Sequence, residues 1–198
     1  MPEPRTCAPL VHLKIGECIF TRNDLCISTV LGSCVCATLY DPETRWSGMF
    51  HAMLPAAPGD GAPPPTVRRD GDGMPDAAPS AGGRNAASGP CRFVDLAILG
   101  LLDRFRRRGL RPENLQAKLF GGAFCVVAPH TAAERRELSA IVDVGAKNVR
   151  MARALLLEEG VRVGTESTLG ERSRKVLFHT GSGRVTMQFL APLGAPQP

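Results

Sequence analysis

The sequence predicts an α+β domain, largely β with two main helical segments, and three observations carry that reading. Short apolar runs separated by turn residues fill Val11 to Leu54, helical signals open at Arg92 and at Thr131, and strand-like runs return after Gly160. At 198 residues, 43% hydrophobic and 22% charged, the chain is long enough for a substantial core and reads as one domain over 1–198.

The first half is a succession of runs, "VHLKI", "ECIF", "LCISTV", "CVCATLY" and "SGMFHAML". Their β-branched content and the intervening "TRND" and "YDPETR" predict a meander of strands. Residues 56–90 change character: Pro, Gly, Ala, Ser and Asp dominate and no apolar period survives, so a disordered loop is expected. From Arg92 to Arg108, apolar residues at 93, 96, 97, 101 and 105 mark one helical face, and Gly109 follows the basic last turn as a C-cap. "LQAKLF" and "AFCVVA" read as strands around Gly121 and Gly122. Thr131 with Glu134 forms a capping box for a helical region that runs, with a break expected near Gly145, to Gly160. "VRVGTE" is strand-like, and "RKVLFHT" and "RVTMQFL" flank "GSG" as the arms of a hairpin.

The net charge is +5, with Arg supplying 20 of the 24 basic residues. The densest run, Arg104, Arg106, Arg107 and Arg108, closes the first helix, where cations complement the carbonyl end of the helix dipole. No basic stripe with interleaved aromatics accompanies it, which argues against a nucleic-acid partner. The opening "MPEPRTCAPL" lacks the apolar core of a signal peptide and no run of 18 apolar residues is present, so a cytoplasmic protein not embedded in a membrane is expected. Seven cysteines (Cys7, Cys18, Cys26, Cys34, Cys36, Cys91, Cys125) form an odd set without a CxxC pair, so reduced thiols, most of them small buried hydrophobes, are expected.

The chemistry concentrates in "STVLGSCVCATLYDPETRWSGMFHAMLP", residues 28–55. In an extended "SCVCATLY" the side chains of Cys34, Cys36, Thr38 and Tyr40 share a face, as do Met49, His51 and Met53 on the following strand. A turn at Asp41-Pro42 returns the chain antiparallel and brings His51 toward Cys34, the minimum for an activated thiol. Gly32 permits close backbone approach beside it, and the N–H groups around Gly32 and Ser33 suit an oxyanion. The base also needs a partner on its other ring nitrogen, and Ser28 or Thr29 supplies one. Spacing alone favours the plainer alternative, a buried thiol and a satisfied structural histidine. Metal ligands in recognisable pairs are missing, and "FGGA" and "TGSGR" fit no phosphate loop, so neither a metal nor a nucleotide is expected. His12, His130 and His179 read as lying apart from any nucleophile.

Five blocks, "LGSCVCATLYDP", "GMFHAMLP", "CRFVDLAI", "AKLFGGA" and "GAKNV", taken in order, resemble the CheD family of chemoreceptor glutamine deamidases from about residue 11 to 190. The resemblance implies a layered α/β/β sandwich with mostly antiparallel or mixed sheets. It implies an amidohydrolase, a protein-glutamine glutaminase, that converts receptor Gln side chains to Glu and releases ammonia without a cofactor. It also implies, as partners, the cytoplasmic helices of methyl-accepting chemotaxis receptors and a CheC-like phosphatase. The family's nucleophilic Cys falls on Cys34 and its His, seventeen residues on, falls on His51. Its Thr, six residues before the Cys, falls on Ser28, which keeps a hydroxyl and is therefore the expected third member, with Thr29 beside it. The long 56–90 stretch and the glycine-poor "TLGERSRKV" depart from the family pattern, and the first of these, with Ser28 in the place of the family's Thr, motivates a second reading: a non-catalytic adaptor docking on receptors or on the phosphatase. A redox sensor built on Cys34 and Cys36 is a distant third, because neighbours on one strand are poorly placed to join.

Overall fold

The computed structural model describes residues 8–58, 91–124 and 132–191, the side chains of 132–143 excepted. The disorder expected at 56–90 therefore lies, beyond residue 58, outside the described residues. So do the Thr131 capping box, Cys7, and Cys125 to Ala128 of "AFCVVA", whose Ala123 and Phe124 are not in a strand.

Nine strands among the described residues form two sheets. The five-stranded sheet has the order β2-β5-β4-β6-β7, built from β2 (Cys18–Thr21), β5 (Ser47–Phe50), β4 (Val35–Tyr40), β6 (Gln116–Gly121) and β7 (Val163–Thr168). The four-stranded sheet has the order β1-β3-β8-β9, built from β1 (Leu10–His12), β3 (Cys26–Leu31), β8 (Arg174–His179) and β9 (Arg184–Phe189). Two helices, α1 (Val94–Arg107) and α2 (Ala132–Glu158), cover the outer face of the larger sheet. This is the α/β/β sandwich, with mixed sheets: β1–β3 and β6–β7 are parallel and the other pairs antiparallel.

Two cores follow from the layering. Val35, Ala37 and Leu39 of β4 face the helices with Ile98, Leu101, Leu102 and Phe105 of α1, while Cys36, Tyr40 and Met49 face the second sheet with Ile27, Leu31, Val176 and Phe178. Strand β4 is central and covered on both faces, which is why all six of its residues are buried and its sequence reads as a near-continuous apolar run. Each large apolar side chain buried in this way stabilises the fold by about 1.5–3 kcal/mol.

The first half is not the expected meander. Only β4 and β5 pair as sequence neighbours there; β1 and β3 go to one sheet and β2 to the other, because the chain crosses between the layers at each early turn. The "GSG" hairpin does join β8 to β9. The buried face of α1 is Val94, Ala97, Ile98, Leu101, Leu102 and Phe105, rotated slightly from the expected one so that Phe93 and Leu96 are half-buried. Its basic end is engaged locally: Arg106 pairs with Glu159, Arg107 with Asp103, and Arg108 stacks over Trp46.

Helix α2 runs unbroken through Gly145, where a break was expected. The glycine serves packing instead: a Cβ at Gly145 would stand 2.8 Å from the carbonyl oxygen of Gly122, so the helix rests directly on the backbone after β6. The buried residues Gly145, Asn148, Val149, Ala152 and Leu156 recur at helical spacing along this face.

Candidate active site

β4 and β5 keep one antiparallel register from Tyr40 opposite Ser47, through Thr38 opposite Met49, to a bridge between Val35 and Ala52. That register sets Cys36 opposite His51 and Cys34 one diagonal step away, all on the face turned to the second sheet. The shared face read from the sequence is the one observed.

His51 is 3% exposed and its ring crosses the gap between the sheets. Thr29 Oγ1 lies 2.8 Å from His51 Nδ1 and 2.8 Å from the Leu13 carbonyl oxygen. A carbonyl only accepts, so the hydroxyl proton goes to Leu13 and the Thr29 oxygen accepts from Nδ1–H. This assigns the tautomer and leaves Nε2 as a lone pair, buried and, among the described residues, without a hydrogen-bond partner. The backbone is strapped as well: His51 N–H donates to the Glu17 carbonyl at 3.0 Å, and Gly16 N–H donates to the His51 carbonyl at 2.8 Å. Burial pulls the imidazole pKa down to about 4, against weaker upward pulls from the Leu13 carbonyl and Glu17, so the ring is neutral at pH 7.

Cys34 is half-buried. Burial pushes its thiol above the ordinary range, and its own backbone N–H works against that rise. No hydrogen bond joins its sulfur to Nε2 of His51. Cys36 is fully buried, which raises its thiol far more and makes it an inert core residue.

The turn that carries Cys34 is held at three consecutive carbonyls. Ala123 N–H donates to Gly32 O at 2.8 Å, Asn148 Nδ2 to Ser33 O at 3.1 Å, and Gly122 N–H to Cys34 O at 2.8 Å. Peptide units are planar and trans, so the N–H groups of Ser33 and Cys34 are fixed on the opposite sides of the first two of these units. Gly121, with φ +111°, is required here: a Cβ on it would stand 2.1 Å from the Cys34 carbonyl oxygen. "FGGA" is thus a backbone platform under the cysteine turn, a use the sequence reading did not find.

The hydroxyl against His51 belongs to Thr29, and the expectation for Ser28 is corrected on this point. Strand side chains alternate, so Thr29 shares the inward face with Ile27 and Leu31, while Ser28 shares the other face with Val30, which is 52% exposed. Ser28 stands in register with His12 and Leu177 rather than beside the imidazole. His179, read as remote from any nucleophile, is the cross-strand partner of Cys26, whose sulfur lies 3.7 Å from its Nδ1. His130 lies outside the described residues. Asn148 was not singled out; its signal was a polar residue on the buried face of "GAKNV".

The layers and the cluster together define a class: an α/β/β sandwich presenting a half-buried thiol near a neutral imidazole of fixed tautomer, the parts of a thiol-dependent acyl-transfer centre. Among the described residues no His, Cys, Asp and Glu group is placed to hold a metal ion, and no helix is long and apolar enough to cross a membrane. The family profile described as "CheD chemotactic sensory transduction" matches residues 74–189. Over 95% of its length the chain is 41% identical to the "Probable chemoreceptor glutamine deamidase CheD" of Nitratidesulfovibrio vulgaris, covering 81% of that protein. It is 40% identical over 92% of its length to the protein of the same name from Oleidesulfovibrio alaskensis, covering 73% of it. With the "Probable chemoreceptor glutamine deamidase CheD 2" of Geobacter sulfurreducens the identity is 34% over 92% of the chain and 91% of the relative. The chain belongs to the CheD family.

Proposed function

We propose that this protein is a chemoreceptor glutamine deamidase, hydrolysing Gln side chains of chemotaxis receptors to Glu with Cys34 as nucleophile and His51 as the acid and base. The relatives' names support the substrate. The observation that carries the mechanism is His51 itself, anchored through Nδ1 on Thr29 and left with a bare, buried Nε2 near Cys34.

Because the imidazole is neutral and the thiol protonated at rest, the two do not form a standing ion pair. Nε2 takes the Sγ proton as sulfur attacks the amide carbon, and the N–H groups of Ser33 and Cys34 meet the oxyanion. The imidazolium, stabilised by the Thr29 oxygen, returns that proton to the amide nitrogen as the C–N bond breaks and ammonia leaves. Water then loses a proton to Nε2 and attacks the thioester, and breaking of the C–S bond restores the thiol and leaves Glu. Substrate binding closes the thiol onto Nε2, a contact that commonly tightens only in the complex. We place this reaction on the cytoplasmic helices of the receptors; a CheC-like phosphatase as a further partner rests on the family resemblance alone.

The test is peptide mass spectrometry of a receptor cytoplasmic fragment after incubation with the parent protein, Cys34→Ala and His51→Ala. The parent is expected to add about 1 Da at particular Gln residues, the change from amide to acid, and neither variant is. Receptor binding without conversion by the parent would reject this reading in favour of the adaptor, which the absence of a resting Cys34–His51 hydrogen bond would then explain.

A further inference from the structure

β4 and β5 pair continuously only from Tyr40–Ser47 to Thr38–Met49; Val35–Ala52 follows in the same register as an isolated bridge, and there the pairing stops. Two hydrogen bonds of 2.9 Å close the Val35–Ala52 pair, and alternation makes Ser33 and Leu54 the next pair of that kind. Instead the amides of Met53 and Leu54 both turn to the Arg92 carbonyl, at 3.0 and 3.1 Å, and the Leu54 carbonyl takes the Val94 amide. The carbonyls of Ser33 and Met53 are taken by one side chain: Asn148 Nδ2 donates to them at 3.1 and 3.0 Å.

Asn148 is fully buried, and both its N–H donors go to this pair, which settles the orientation of the amide. Among the described residues its Oδ1 has no partner and is buried. A side chain that merely filled this space would be better apolar, since an unsatisfied buried acceptor is costly. Its short reach depends on α2 lying close: Gly145, three residues earlier, rests on Gly122, and Val149 does the same from the next position.

We propose that Asn148 is a positioning residue for the thiol site: its amide replaces the missing rung, keeps β4 and β5 parted at Cys34, and, by pinning Ser33 O, fixes the peptide unit whose N–H belongs to Cys34. This inference rests on the assignment of Cys34 as nucleophile. That N–H favours the Cys34 thiolate, and the same group meets the oxyanion, so releasing its peptide unit weakens both steps.

The test compares the full-length parent with Asn148→Ala and Asn148→Ser by two readouts. One, the pH dependence of Cys34 alkylation by iodoacetamide, needs no substrate; the other is kcat and KM on the receptor fragment. Asn148→Ala is expected to move the alkylation midpoint up by about half a unit or more. It is also expected to lower kcat about 10-fold or more with KM changed by less than about 3-fold. Asn148→Ser, which keeps one donor, falls between, and decides the matter if Asn148→Ala does not fold. A lowered Tm with the midpoint and kcat of the folded protein unchanged would overturn the proposal. An inactive parent would reject the deamidase assignment, whereas the alkylation midpoint would still decide the role of Asn148.

Discussion

Replacing Thr29 by Val removes one oxygen and almost no volume, and the structure says what that oxygen does. It donates to the Leu13 carbonyl and accepts from His51 Nδ1–H, each at 2.8 Å, in a place where Thr29 is 4% and His51 3% exposed. The valine leaves a buried acceptor and a buried donor unpaired, at about 1–3 kcal/mol each. A destabilisation of about 2–6 kcal/mol is therefore expected, a fall in Tm of about 4–24 °C. The imidazole also loses its tautomer lock, so a fraction of the rings carry the proton on Nε2 and cannot act as base; kcat is expected to fall about 100-fold in protein that is still folded. Thr29→Ser restores the oxygen and should recover most of kcat. Ser28→Ala should change kcat by less than about 3-fold, because its side chain is on the other face of β3. The assay is deamidation of the receptor fragment at a temperature where circular dichroism shows every variant folded. Parental kcat in Thr29→Val, or an equal loss in Ser28→Ala, would refute the reasoning.

Three further outcomes follow from the same geometry. With burial raising the Cys34 thiol, thiolate is scarce at neutral pH, so alkylation of Cys34 should keep rising through about pH 9 with the same midpoint in His51→Ala; a plateau reached near pH 5 would reveal an ion pair instead. His51 has a folded value of about 4 against an ordinary 6.5, so the unfolded chain binds its proton first as pH falls. Its contribution is complete above about pH 6.5 and lost toward pH 4, and urea unfolding should show the parent losing about 3 kcal/mol more than His51→Gln between pH 7 and 4. Gly121→Ala should cost about 3 kcal/mol or more and displace Cys34, since its Cβ would overlap the Cys34 carbonyl, whereas Gly100→Ala, in α1 with open space around it, should stabilise by about 0.5–1 kcal/mol in thermal melts.

The local facts were legible in the chain because they depend on short-range periodicity. Alternation sufficed to set Cys34 with Cys36 on one face of "SCVCATLY" and Met49 with His51 on one face of "SGMFHAML"; the observed register makes these the same face. The helical period of 92–108 and the "GSG" hairpin were readable for the same reason. What failed was every inference that needed to know which layer a strand joins. The early strands looked like a meander because nothing in a strand's own sequence says whether its neighbour pairs beside it or crosses to the other sheet. Gly145 looked like a helix break because its partner, Gly122, is 23 residues away in the chain and adjacent in space.

The third polar partner shows the division most clearly. The sequence by itself offered a hydroxyl for the histidine, at Ser28 or Thr29, and a turn that could carry His51 back toward Cys34. Only the packing of one sheet on the other decided that Thr29 points into the gap and Ser28 away from it, since alternation separates the two hydroxyls but cannot say which side is inside. The same packing lowers the imidazole pKa and raises the thiol, and only the approach of α2 to the end of the sheet brings Asn148 to the carbonyls beside Cys34. Burial, tautomer and the opening of the ladder are properties of contacts between distant segments, and distant contacts come into being only with the fold.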